Sequence, residues 1–251
     1  MKRTLALSWR SLSALALALT LTLGTSDLAA QASRASDDPG LLLLEREVQR
    51  LADLSGGVMG LAAVHLESGQ SVYLNPGVSF PMASSYKVPI AVEMLTRVDR
   101  RERSLEEMIA LSSADIHPGS GTLSQLFQVP GVALSLRNLM ELMLLISDNS
   151  ATDVVLREAG GGEAVTARMR ALGIEGIRVD RPTSLLIGDF LGVRELPEEG
   201  NVSLEEFRRL SEEVSPEERE EAAKGFDTDP RDTSTPEAMA RLLEMIWRGR
   251  P

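Results

Sequence analysis

The chain has no cysteine, two histidines and an aromatic content of 4%, and each scarcity closes off some chemistry. Without a thiol there can be no disulfide, thiolate metal site or lipid-anchor cysteine. His65 falls in an apolar segment and His117 in a loop. Neither has a second histidine or a carboxylate at ligand spacing, so both read as structural or exposed. No metal and no organic cofactor is expected. Basic residues are also in the minority, 26 Lys and Arg against 37 Asp and Glu, for a net charge of −11. That balance argues against nucleic acid or an anionic membrane as a partner.

The long apolar run that does occur is at the N-terminus. Lys2, Arg3 and Arg10 precede a Leu- and Ala-rich stretch from Ser11 to Leu23, and Ala30-Gln31-Ala32 is a small-x-small cleavage pattern. The stretch is short for a membrane span, so residues 1–32 read as a cleaved secretory signal. The expected product is an exported protein, periplasmic or secreted, a monomer with no membrane attachment. Loss of residues 1–32 removes Lys2, Arg3, Arg10 and Asp27, a net of +2, and takes the charge from −11 to −13. An apolar fraction of 43% supports a packed core over residues 33–251.

Leu44, Val48 and Leu51 repeat at helical spacing. Val58–Leu66 and Ser71–Leu74, separated by a polar turn, read as a hairpin. A helix is expected from the Ser84 region to about Arg100. Ser135–Ile146 is apolar on nearly every side, which predicts a helix surrounded by protein. It halts at Ser147-Asp148-Asn149-Ser150, residues that favour turns and caps. Further helices are expected up to Gly160 and over Glu163–Leu172.

Phe80-Pro81-Met82-Ala83-Ser84-Ser85-Tyr86-Lys87 holds a serine and a lysine three positions apart, which on a helix puts Ser84 and Lys87 on one face. A lysine can take the proton of a serine if burial or nearby positive charge lowers its pKa. A polar corner such as Ser147-Asp148-Asn149, at the end of an apolar helix, can deliver a hydroxyl and an amide into a cleft.

These two units, in this order and at this separation, resemble the class A serine β-lactamases within the penicillin-recognising acyl-serine enzymes. Pro118-Gly119-Ser120-Gly121, Ile177-Arg178-Val179-Asp180-Arg181 and Arg231-Asp232-Thr233-Ser234-Thr235-Pro236 agree with the likeness, which runs from about Leu41 onward. The resemblance implies a mixed α/β (α+β) fold, a helical subdomain beside an antiparallel sheet. It implies a β-lactam or peptidoglycan-like substrate. Ser84 would attack the lactam carbonyl, with Lys87 as base. Ser147 would pass a proton to the lactam nitrogen, Asn149 would bind the substrate side-chain amide, and the Ser84 N–H would form half of an oxyanion hole.

Three departures qualify that expectation. The family's deacylating Glu falls at Thr183, which cannot act as a base at neutral pH, and Asp189 is the nearest following acid. An acidic insertion over about 190–228 is expected to form two short helices with capping boxes at Ser203 and Ser215, near the cleft mouth. It reads as a solvated appendage or as a lid that could lend a carboxylate. No Lys-Thr-Gly follows Arg231, so the C-terminal strands of the family are expected to be missing and the hairpin edge left open. Efficient turnover is therefore doubtful. A penicillin-binding, D-Ala-D-Ala-directed enzyme with slow release, and a non-catalytic remnant, stay open as alternatives.

Overall fold

A computed structural model describes residues 38–129, 131–197, 200 and 202–251. The signal read over residues 1–32, and Glu198 and Glu199 of the insertion, lie outside the described residues.

Helix α1 (Pro39–Leu54) starts on Asp38, whose carboxylate accepts the Gly40 N–H at 2.8 Å, with Pro39 at the first helical position. Leu44 and Leu51, expected to face inward, are each 49% exposed, and Ala52 is the buried residue of the helix. The helix packs on a hairpin too small to cover its whole apolar stripe. Strands β1 (Leu61–Val64) and β2 (Ser71–Leu74) form that hairpin, in register Leu61↔Leu74 to Val64↔Ser71. Among the described residues β1 pairs with β2 alone. Its other side opens on a groove of about 570 Å³ lined by Gly60, Phe80, Met239 and Leu243.

Strand β3 (Phe80–Pro81) pairs with a segment far along the chain, Phe80↔Ser234 and Pro81↔Thr233, and the Met82 N–H reaches Asp232 O at 3.0 Å. Next comes a 3₁₀ turn, Ala83–Tyr86, and then α2 (Lys87–Asp99). The helix expected to carry Ser84 thus begins later, with Ser84 on a 3₁₀ turn. At three residues per turn, i and i+3 stand in line, so the shared direction of Ser84 and Lys87 survives the change. Pro89 sits in the first turn of α2, where a missing N–H costs nothing.

Strand β4 (Met108–Ala110) precedes the Pro118–Gly121 loop and the short helix α3 (Leu123–Leu126), and pairs with β5 (Ala133–Ser135). Helix α4 (Leu136–Leu145) buries Leu136, Leu139, Met140 and Met143. It is not surrounded on every side: Leu144, Leu145 and Ile146 are exposed, Leu145 at 79%. Helix α5 (Asn149–Glu158) is buried from Asn149 to Leu156 and is the centre of the domain. Helices α2, α4, α6 (Gly161–Ala171) and α7 (Thr183–Leu191) pack around it. Ile90, Met94, Leu139, Met143, Val154 and Met169, each at most 1% exposed, form the core between them. At roughly 1.5–3 kcal/mol per large apolar side chain, this cluster is the main source of stability.

Helix α7 (Thr183–Leu191) leads into the insertion, where α8 (Leu204–Glu213) and α9 (Pro216–Phe226) appear as two acidic helices. Of the caps at Ser203 and Ser215, only Ser215 forms the full capping box. At Ser203 the hydroxyl accepts the Glu206 N–H, but the Glu206 carboxylate turns to Arg209 at 2.7 Å instead of returning to the cap. The insertion is not a loose appendage. Leu204, Phe207 and Leu210 are buried, α9 packs on α7, and the Phe226 ring meets Phe190 edge-on at 5.5 Å. Its hydrogen-bonded carboxylates are engaged locally: Glu206 and Glu213 with Arg209, Glu220 with Lys224, Glu218 with its own cap. Strand β6 (Thr233–Ser234) and α10 (Pro236–Trp247), capped by Thr235, complete the described chain.

Candidate active site

The turn after β3 leaves Ser84 exposed and Tyr86 and Lys87 buried. The Lys87 ammonium donates to Ser147 Oγ at 2.8 Å, to Ser147 O at 2.8 Å and to Asn149 Oδ1 at 3.0 Å. The Ser147 hydroxyl donates in turn to Ser84 Oγ at 3.0 Å. Ser84, Lys87, Ser147 and Asn149 therefore share one site. Lys87 and Ser84, expected to share one face, are joined through the Ser147 hydroxyl. Lys87 is 3% exposed, and burial lowers its pKa to about 8 against the opposing pull of Asp153 and Asp148.

The corner that presents Ser147 is held by backbone geometry. Ser147 adopts φ 59°, a left-handed conformation that a non-glycine residue takes at a cost of about 1–3 kcal/mol. Two neighbours hold it there. Ser120 Oγ donates to Ser147 O at 2.8 Å, while Ser120 O accepts the Asn149 N–H at 2.9 Å. Asp148 is wholly buried and ties α5 to α3. One carboxylate oxygen accepts the Ala151 N–H as the helix cap, and the other accepts the Leu123 N–H, both at 2.9 Å. Gly119 and Gly121 are required by this packing. A Cβ on Gly119 would lie 2.3 Å from Asn149 Nδ2, and one on Gly121 2.3 Å from Asp148 Cγ. Asn149, expected to bind a substrate amide, gives its oxygen to Lys87 and donates from Nδ2 to Pro118 O at 3.2 Å.

Thr183 is buried at the start of α7, and its hydroxyl hydrogen-bonds the Tyr86 hydroxyl. Its N–H donates to Asp153 Oδ1 at 2.6 Å, and the Ser184 N–H to Asp153 Oδ2 at 3.0 Å. Asp189 is committed elsewhere, paired with Arg181 and with Arg231. Arg181 is buried and also meets Asp232 at 2.6 Å, Asp229 at 3.1 Å and the Phe226 ring at 5.6 Å, which fixes the root of the insertion. His65 is exposed beside Glu67, whereas His117 is buried with Nε2 3.4 Å from Asp153 Oδ2. No group of His, Asp and Glu suited to a metal occurs among the described residues, nor any helix long and apolar enough to cross a membrane.

Sequence reasoning passed over Asp153 and Ser120. The signal for Asp153 was its place one helical turn after Asn149, on the same face of α5. Ser120 lay within a matched loop with nothing to single out its hydroxyl.

Residues 43–251 match the Beta-lactamase enzyme family. A β-lactamase of Streptomyces albus G is 32% identical over 65% of this chain and 53% of that protein. Toho-2 of Escherichia coli is 29% identical over 68% of this chain and 55% of its own length. Among solved structures, an ancestral class A β-lactamase superposes with a TM-score of 0.59 at 27% identity, covering 80% of this chain and 63% of the other. A β-lactamase from Sphaerobacter thermophilus gives 0.60 at 25%, covering 85% and 64%. The chain spans about half the length of the curated relatives it matches. On a match that covers most of its length, and on the mixed helix-and-sheet fold it shares with those structures, the chain belongs to the beta-lactamase enzyme family as a class A serine β-lactamase-like protein.

Proposed function

We propose that the chain is an acyl-serine enzyme of β-lactamase type, exported to the periplasm or beyond, that opens a β-lactam ring through an acyl-enzyme on Ser84. The observation that carries the reading is the bridge from Lys87 Nζ through the Ser147 hydroxyl to Ser84 Oγ, at 2.8 and 3.0 Å. Neutral Lys87 takes the Ser84 proton by way of Ser147, and Ser84 Oγ bonds to the lactam carbonyl carbon. As the C–N bond breaks, Ser147 hands a proton to the lactam nitrogen. The Ser84 N–H, at the start of a 3₁₀ turn, serves as one donor to the oxyanion. Asn149 borders the substrate as well as Lys87.

A second reading shares the first half of this sequence: a penicillin-binding enzyme that acylates and releases slowly. The character of Thr183 favours it. A hydroxyl bonded to Tyr86 offers no base for a hydrolytic water, and the nearby Asp153 carboxylate already accepts two N–H groups. Mass spectrometry after mixing with a penicillin tests both readings. A serine adduct on the native chain that is absent from Ser84→Ala supports acylation. Its lifetime then separates fast from slow release. No adduct and no loss of substrate would overturn both.

A further inference from the structure

Asp153 is a buried acid that the steps above do not use. It stands one turn beyond Asn149 on α5, and Asn149 accepts a hydrogen bond from Lys87 at 3.0 Å. Residues four apart share a helix face, so the two side chains are aimed the same way. Asp153 also spans to α7. Pro182, the residue before that helix, has no side chain with which to cap it, and the first amides, Thr183 N and Ser184 N, are bonded instead to the two oxygens of Asp153 at 2.6 and 3.0 Å.

We propose that Asp153 is a positioning residue of the Ser84 site, whose carboxylate both caps the helix beginning at Thr183 and presents the negative charge that faces the Lys87 ammonium. The inference rests on Lys87 being the base of the proposed reaction. The titratable groups around Asp153 are His117, 3.4 Å away through Nε2, Lys87 and the buried Tyr86, whose hydroxyl its charge helps to keep protonated. The charges of two acids, Asp153 and Asp148, oppose the effect of burial on Lys87. Asp148 is held by N–H groups of α3 and α5, so Asp153 is the acid that links the base to the segment bearing Thr183. Without Asp153, burial would lower the Lys87 pKa further and the first two amides of α7 would lose their acceptors.

Lysine occurs only at Lys2, Lys87 and Lys224, which makes the test direct. Full-length protein carrying ¹³C at the lysine ε position is titrated by NMR, with Lys224→Arg assigning the signals. Asp153→Asn should move the Lys87 midpoint down by on the order of one pH unit. Asp153→Ala should do the same and also speed amide exchange at Thr183 and Ser184 by about tenfold or more. A purely structural role would alter exchange and leave the midpoint in place. An unmoved Lys87 midpoint in a folded Asp153→Asn protein overturns the proposal. If that variant does not fold, Asp153→Ser, which keeps an oxygen acceptor without the charge, is titrated in the same way, and an unmoved Lys87 midpoint there refutes the idea equally. Neither measurement needs turnover, so failure of Ser84 to react with a penicillin would overturn the proposed reaction alone.

Discussion

Gly121→Ala tests whether the loop at 118–121 holds the reactive corner in place. Gly121 has φ 131°, where an alanine is strained by about 1–3 kcal/mol. The added Cβ would lie 2.3 Å from Asp148 Cγ, 2.4 Å from Oδ2 and 2.7 Å from Cα. Tolerable contacts begin near 3.0 Å, so atoms must separate by about 0.7 Å. Rotating the Asp148 side chain gives no escape, because its backbone is in the way and both its oxygens are bonded to amides. Displacing one charged hydrogen bond adds roughly 1.5–3 kcal/mol. Together these predict a loss of about 2.5–6 kcal/mol in unfolding free energy, measured by urea titration. Asp148 lies between Ser147 and Asn149, and a shift near 1 Å costs up to about 10²-fold in rate, so penicillin labelling of Ser84 should slow by tens of fold. Gly225→Ala is the control: it lies in α9 with open space around it and should stabilise by about 0.5–1 kcal/mol. If Gly121→Ala unfolds within 1 kcal/mol of the native chain and labels at the native rate, the reasoning from close approach fails.

Further outcomes follow from the same geometry. With Lys87 near pH 8 and the neutral form acting as base, acylation should rise about tenfold per pH unit below 8 and level off above it, as read by stopped-flow labelling. A flat profile would remove Lys87 from that role. Thr183→Glu should not restore fast release by itself, because the new carboxylate enters a buried site beside Asp153. Deacylation should speed more in the Thr183→Glu, Asp153→Asn pair, and intact-mass decay of the adduct compares the two. Asp229 is held down to about 2 by Arg231 and Arg181, so its stabilising effect is complete above the ordinary carboxylate range and is lost as pH falls through 2. Asp229→Asn should flatten that part of the acid-unfolding curve. Phe226→Ala, which removes the ring from Phe190 and Arg181, should cost about 1–2 kcal/mol by thermal unfolding.

Much of the candidate site's arrangement was legible because its parts are close in sequence. Ser84 and Lys87 are three positions apart, and Ser147 and Asn149 flank Asp148, which caps α5. What was not legible depends on partners distant in sequence. Asp153 bonds amides some 30 residues away, and no pattern around it announces that. Leu44 and Leu51 kept helical spacing, yet burial depends on what lies opposite, and a two-stranded hairpin covers little. The exposed end of α4 makes the same point: an all-apolar run signals helix, not its surroundings. At Ser203 the local pattern was right in type, and a neighbouring arginine outbid the cap for the glutamate.

The short pairing of β3 with β6 has a consequence for how the protein comes into being. The turn that carries Ser84 is fastened at Phe80, Pro81 and Met82 to Ser234, Thr233 and Asp232, so its anchor is synthesised about 150 residues later. Contacts of such long sequence separation form late and slowly. The helices around α5 can assemble from neighbouring segments, but the Ser84 turn cannot be set until residues 232–234 have left the ribosome and found β3. A nascent chain stalled before that point would hold a nearly complete helical core and an unplaced Ser84, whose turn would be fastened as a final step of folding.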